Sequence, residues 1–220
     1  MSKPNFPPVD EANEDGLLFV GGELTVDWLL AAYERGIFPW PIRLSKRSPH
    51  VLTWFAPDPR AIIELDGLHV PKRLARRIRQ GQFQYSTNAA FPEVIRVCAA
   101  PRKDGAETWL NRDMISTYIK LHEAGFAHSL EVWQGEQLEG GLYGVALGGY
   151  FGAESMFHWA YDASKAAVVF LVQHLQRQRF CLLDTQVWSP HIGQMGGIEI
   201  PRAEFQQRLG TALAKTDVAF

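Results

Sequence analysis

The chain has only two cysteines, Cys98 and Cys181, set far apart inside apolar segments. That argues against a disulfide framework or a cysteine-rich zinc site and predicts two buried thiols in a reducing compartment. No apolar run reaches the roughly 18 residues of a spanning helix. The start, MSKPNFPPVDEANEDG, is proline-rich and acidic rather than basic and then apolar, so no signal peptide is expected and the predicted location is cytoplasmic. The seven histidines are His50, His69, His122, His128, His158, His174 and His191, and no pair has HExxH or HxxxH spacing, which argues against a metal centre. A Walker loop and a GxGxxG turn are also missing, and Ser155 lacks a GxSxG elbow, so nucleotide enzymes and serine hydrolases are disfavoured. Nor is there an excess of positive charge: the net charge of −2 does not fit a protein that coats nucleic acid.

What is present is ordinary for a folded protein. With 220 residues, 46% hydrophobic and 21% charged, the chain can bury a substantial core as one unit or two small domains. The first fifteen residues read as a loose arm. TVDWLLAAYERG reads as a helix with Thr25 as N-cap, an apolar stripe of Trp28, Leu29 and Ala32, and Gly36 as the stop. IFPWPIRLSKRSPHVLTWFAPDPR shows no clear period and reads as irregular but packed, closing a first domain at residues 1–66. In VPKRLARRIRQGQ, helical spacing gathers most of Lys72, Arg73, Arg76, Arg77 and Arg79 on a cationic face with Leu74 and Ile78 inward. Such a face is either simply solvated or a phosphate contact, and spacing does not choose.

From residue 67 to 220 the pattern is mixed. A strand is expected at 83–88, helices at 91–100 and 111–125, and then three antiparallel strands broken at Gly135 and at Gly148-Gly149. A long helix with Val168, Leu171, Val172 and Leu175 on one face and a strand at 180–188 complete the order, which predicts an α+β fold. Within it, three polar groups stand on strands that otherwise look buried. Glu154 in YFGAESMF requires a partner or a ligand, because a lone buried carboxylate is costly. Asp184 and Gln186 in LLDTQVW, two apart, should share a strand face and so act on one ligand; the alternative is a polar strand end with Asp184 paired to an arginine.

GLLFVGGELTVDWLLAAYERGIFPW, LTWFAPDPR, TWLNRDMISTYIKLHEAGFAHSLEVW, GGLYGV, FGAESMF, ASK and DTQ follow one another in this order. In that they closely resemble the bacterial leucyl/phenylalanyl-tRNA–protein transferase family, over about residues 16–205. The resemblance implies a small N-terminal domain joined to a C-terminal domain of N-acetyltransferase (GNAT) type with a mostly antiparallel sheet. It implies an enzyme that moves Leu or Phe, and less well Met, from aminoacyl-tRNA to the α-amino group of proteins beginning with Arg or Lys, marking them for N-degron proteolysis. It further implies a monomer that needs no cofactor, metal or membrane. By position, Trp40, Trp109 and Tyr118 resemble the aromatics around the terminal adenosine, and Leu142, Met156, Val168, Leu171, Leu175 and Leu183 the aminoacyl pocket. The tRNA backbone is then expected on the basic helix at 72–79. Asp184, Gln186 and Glu154 match the catalytic positions: the Gln186 carbonyl accepts from the amine, Asp184 orients it, and Glu154 pairs with the basic end of the acceptor or orients the amine. Met156, two residues after Glu154, is expected on the same strand face.

The chain departs from the family pattern at Thr185, where the usual motif is DCQ, at Asp162, where Asn is common, and at Leu142, where Met is frequent. Thr185 is expected to face away from Asp184 and Gln186. Two other readings share the fold: a non-catalytic tRNA- or peptide-binding module, and a CoA-dependent acyltransferase. The second lacks its Q/R-x-x-G-x-G/A pyrophosphate loop here.

Overall fold

In the computed structural model, which describes residues 4–43, 48–101 and 108–220, the N-terminal arm is packed rather than loose. Phe6 is buried edge-on against Phe19, Trp28 and Trp54, with centroids 5.9, 5.2 and 4.9 Å away. Arg35 donates to the carbonyls of Phe6 and Pro7 at 2.7 and 2.6 Å. The aromatic and the backbone bonds supply what the polar composition of the arm hides.

The chain continues through β1 (Leu17–Val20) into α1 (Val26–Tyr33), where the Thr25 hydroxyl accepts from the Trp28 N–H at 3.3 Å and caps the helix. Helix α1 buries Trp28, Leu29, Ala32 and Tyr33. The stretch expected to be irregular holds four short strands, β2 (Phe38–Pro39), β3 (Ile42–Arg43), β4 (His50–Val51) and β5 (Thr53–Phe55). They form a sheet of order β1-β5-β2 and a separate β3-β4 pair; residues 44–47 lie outside the described residues. Strands of two or three residues are too short to display a period of two, which is why the sequence does not announce them.

The rest comprises β6 (Arg60–Ile63), α2 (Lys72–Arg79), β7 (Gln84–Thr87), α3 (Phe91–Cys98), α4 (Arg112–Glu123), β8 (Ala127–Gln134), β9 (Gln137–Leu147), β10 (Tyr150–His158), α5 (Ala163–Arg177), β11 (Leu182–Gln186), α6 (Pro190–Gln194), β12 (Gly197–Ile200) and α7 (Arg202–Leu213). The seven-stranded sheet has the order β12-β6-β11-β10-β9-β8-β7. All neighbours are antiparallel except β10 and β11, which run parallel because α5 carries the chain back between them. The expected α+β arrangement with a mostly antiparallel sheet is therefore present. Strand β6 sits inside this sheet between β11 and β12, so a division at residue 66 would cut it from its neighbours.

Both faces of the sheet are buried. Ile62, Tyr143, Tyr150 and Leu182 point into one core, which also holds the aromatics of the N-terminal part, α3, α4 and α7. Their strand neighbours Ile63, Leu142, Phe151 and Leu183 point into a second core against α5. Burial on two sides explains why these strands read as apolar runs instead of clean alternation. Of the two cysteines, Cys98 is buried in the first core, but Cys181, expected to be buried, is exposed where the chain leaves α5 for β11.

Two β-bulges lie close together. On β10, Ala153 pairs with Gly144 and Ser155 with Tyr143, leaving Glu154 as the extra residue; on β11, Asp184 pairs with Ile62 and Gln186 with Ala61, leaving Thr185. The parallel pairing of β10 and β11 stops at Gly152 and Asp184, and beyond that point the strands part. The sheet thus opens where its polar residues stand. Close pairing on the other side of β10 depends on Gly144, whose added Cβ would fall inside van der Waals contact with the Gly152 carbonyl oxygen and the Phe151 ring. Replacing Gly144 with Ala should destabilise the fold by about 2 kcal/mol, lowering the melting temperature by roughly 4–8 °C in a thermal scan.

Candidate active site

The gap between β10 and β11 is a cavity of about 400 Å³. Its apolar wall includes Leu142, Met156, Val168, Leu171 and Leu183, five of the six positions matched to an aminoacyl pocket. Leu175 is not at the wall; one turn further along α5, it is buried in the second core. The bulge also separates Met156 from Glu154. Met156 pairs with Leu142 and packs on the second core, whereas Glu154 is turned to Tyr118 in the first. Simple alternation put them on one face, and the extra residue shifts it.

At the mouth, Trp40 is 40% exposed and lies 6.4 Å from Trp109, the rings inclined by 34°. Tyr118 meets Trp109 edge-on at 6.4 Å but is fully buried, so its hydroxyl and not its face serves the site. That hydroxyl is 2.5 Å from the Tyr33 hydroxyl and donates to Glu154 Oε2 at 3.1 Å. Gln186 Nε2 donates to Glu154 Oε1 at 2.8 Å, so Glu154 and Gln186 bridge the two strands by side chains just past the last backbone pair. With its amide nitrogen donated to Glu154, Gln186 keeps its amide oxygen as an acceptor that has no partner among the described residues. Burial pushes the Glu154 carboxyl up to about 7; the bonds from Tyr33 and Tyr118 pull it down, the Asp184 charge adds to the rise, and Arg60 opposes it. Burial, followed by the charge of Glu154, raises Tyr33 and Tyr118 well above the usual tyrosine value, and both stay neutral donors.

Asp184 does not line the cavity. It is completely buried beneath it, and Arg60 grips it with two bonds, Nε to Oδ1 at 2.8 Å and Nη2 to Oδ2 at 2.7 Å. The Tyr150 hydroxyl donates to Oδ2 at 2.8 Å and the Gln186 backbone N–H to Oδ1 at 2.9 Å. The expectation that Asp184 and Gln186 act directly on one ligand is thereby corrected, and pairing with an arginine is what the fold provides. Gln186 has φ of 61° and sits at the centre of a tight turn in which the Val187 N–H donates to the Thr185 carbonyl at 2.8 Å. A left-handed backbone costs a non-glycine residue on the order of 1 kcal/mol, and the bond from its own N–H to Asp184 helps hold it there. Thr185 lines the cavity, away from Asp184, and its buried hydroxyl has no hydrogen-bond partner among the described residues.

Three members of this network were not singled out from the sequence: Arg60, Tyr33 and Tyr150. The signal for Arg60 was present, an arginine opening the apolar run AII, and Tyr33 continues the apolar stripe of α1 four residues after Leu29. On α2, Leu74 is buried and Ile78 packs on the second core, leaving Lys72, Arg73, Arg76 and Arg79 exposed. Arg77 is drawn off that face, donating to the Tyr161 carbonyl at 2.5 Å and to Asp162 at 3.2 Å. Among the described residues, no group of His, Cys, Asp and Glu could hold a metal ion, and no helix is long and apolar enough to cross a membrane.

Against protein-family models, residues 62–210 match "Leucyl/phenylalanyl-tRNA protein transferase" and residues 22–58 match its N-terminal domain. The chain belongs to the leucyl/phenylalanyl-tRNA–protein transferase family. Similar members are the proteins of that name from Anaeromyxobacter sp. (strain Fw109-5), 49% identical across 95% of this chain and 87% of the relative, and from Syntrophotalea carbinolica, 47% identical across 94% and 88%. A third, from Aromatoleum aromaticum, is 46% identical across 92% and 84%. Among solved structures, L-PGS from Bacillus licheniformis superposes with a TM-score of 0.41 at 10% identity, over 71% of this chain and 50% of that one, a likeness too slight to carry an argument. The two family segments leave residues 59–61 between them, a gap that overlaps the start of β6.

Removing one partner of the buried pair strands a charge. Arg60→Met should cost about 3–5 kcal/mol of stability in a urea titration, and Arg60→Met combined with Asp184→Leu should recover most of it. The stability linked to Glu154 has the opposite pH sense to that of a paired carboxylate. Its folded-state value of about 7 exceeds the ordinary 4.5, so its contribution is full below about 4.5 and is lost as pH rises through about 7. Glu154→Gln should therefore gain in melting temperature relative to the parent as pH is raised across that window.

Proposed function

We propose that the cleft carries out aminoacyl transfer from tRNA to a protein N-terminus, with Leu and Phe as the main groups moved and Met a poorer one. The observation that carries this reading is the convergence, at one strand parting, of an apolar cavity, two tryptophans at its mouth and the Glu154–Gln186 bridge. The aminoacyl side chain enters the cavity among Leu142, Met156, Val168, Leu171 and Leu183. An apolar pocket of this kind separates similar side chains by only modest factors, which suits more than one donor. The terminal adenosine stacks at Trp40 and Trp109, and the tRNA backbone follows the exposed cations of α2. Acceptors are proteins beginning with Arg or Lys, whose cationic side chain is drawn toward Glu154.

An aminoacyl ester is already activated, so the reaction calls for alignment and charge stabilisation and for no ATP. The acceptor nitrogen attacks the ester carbonyl, the carbon–nitrogen bond forms as the carbon–oxygen bond to the ribose breaks, and a proton passes from the nitrogen to the departing hydroxyl. An α-amino group with a pKa of about 7.7–8.0 is partly neutral near pH 7. The free oxygen of the Gln186 amide accepts from that amine and aims its lone pair. Asp184 is a positioning residue: it touches no reactant and acts by fixing the Gln186 backbone, with Arg60 and Tyr150 fixing Asp184 in turn. We read the unit from β6 onward as N-acetyltransferase-like, acting as a monomer in the cytoplasm and feeding N-degron proteolysis.

The test is transfer of radiolabelled Leu or Phe from its tRNA to a peptide beginning with Arg, in the absence of CoA and ATP. Label should appear in the peptide, and its absence defeats the reading. With Gln186→Ala the turnover should fall by roughly 100-fold or more, while KM for the aminoacyl-tRNA stays nearly unchanged; a loss confined to KM would remove Gln186 from the chemistry.

A further inference from the structure

Beyond the end of β10, the chain exposes two large aromatics that the cleft does not use. Trp159 is 56% exposed and Tyr161 64%, although burying such rings is normally favourable. Neither hangs on a slack loop. The Trp159 N–H donates to the Glu139 carbonyl at 2.8 Å, and Arg77 holds the Tyr161 carbonyl at 2.5 Å and the Asp162 carboxylate at 3.2 Å. The Arg73 guanidinium lies over the Tyr161 ring, 4.9 Å from its centroid, and Trp159 leans on buried Phe157 at 6.2 Å. The turn is thus a rigid shelf of two open rings beside the exposed cations Lys72, Arg73, Arg76 and Arg79, on a chain whose net charge is −2.

We infer that Trp159 and Tyr161 form a stacking platform for unpaired nucleotides of the donor RNA that precede its terminal adenosine. This rests on the aminoacyl-transfer reading and extends it to a second nucleic-acid contact. Exposed rings interleaved with cations are what single-stranded nucleic acid requires, rings for base faces and cations for phosphates. The place also fits: Trp159 comes three residues after Met156 and five after Glu154 along an extended stretch, roughly 10 to 16 Å from these cleft residues and within reach of a short single-stranded tail. An acceptor polypeptide with a basic N-terminus is the poorer occupant, since the cations of α2 would repel it. Arg77 pairs with Asp162, the carboxylate within this turn, at 3.2 Å.

The experiment compares Trp159→Ala and Tyr161→Ala with the parent on two donors, whole aminoacyl-tRNA and aminoacyl-adenosine. Each variant should raise KM for the tRNA by about 5- to 100-fold, leave kcat as it was, and handle aminoacyl-adenosine like the parent. An unchanged KM for tRNA, equal losses on both donors, or an effect seen only on the acceptor peptide would overturn the platform. Fluorescence anisotropy with a labelled single-stranded RNA matching the tRNA 3′ end gives a reading independent of catalysis. Weaker binding by both variants, at parental melting temperatures, supports the platform even where the parent transfers nothing, an outcome that would instead defeat the functional reading.

Discussion

The buried pair between Arg60 and Asp184 is the contact on which the site depends. Taking two charges out of water costs several kcal/mol per ion, and a pair this deep is tolerated only when its remaining donors and acceptors are satisfied. Here they are. Arg60 spends its third bonded nitrogen on the Gly36 carbonyl at 2.9 Å and lies between the rings of Phe38 and Phe205, while Asp184 accepts also from Tyr150 and from the Gln186 backbone. Burial works against the Arg60 charge, yet Asp184 outweighs it and raises the guanidinium above its usual value. One side chain on β6 thereby ties the end of α1, strand β2, helix α7 and strand β11 together.

That anchorage explains how a strained turn persists at the cleft. β11 stops pairing with β10 at Asp184, and a strand end next to a cavity would ordinarily fray. Instead the ion pair fixes Asp184, Asp184 fixes the Gln186 N–H, and Gln186 reaches Glu154 on the other strand. Glu154 is held from behind by Tyr118, itself against Tyr33 of α1. Two chains of hydrogen bonds from the first core converge on Gln186, one on its backbone N–H and one on its side-chain amide, so the small N-terminal part belongs to the site as well as to the fold.

Long elements were legible because their spacing has room to repeat: α4, α5 and the β8–β10 meander all follow the apolar periods of the sequence. The short strands β2 to β5 were not, nor was the place of β6, since two to four residues cannot show a period and sheet membership is a matter of partners far along the chain. The bulges at Glu154 and Thr185 escaped for a related reason. Alternation is a rule for regular pairing, and an extra residue is visible only against the opposite strand. Hence Met156 and Glu154 part company, and Asp184 turns inward while Gln186 meets the cleft.

By itself the sequence determined the α+β class, the order of the major elements, the family, and the identity of the polar residues that stand in apolar strands, because each of these is written in local pattern or in motifs. Only the tertiary structure decided what those residues do to one another. Asp184 and Arg60 are 124 residues apart, and no local rule distinguishes a carboxylate awaiting a ligand from one already paired. Glu154 is open to the cleft and Asp184 is closed off from it, a difference set by which side chain the fold brings within bonding distance.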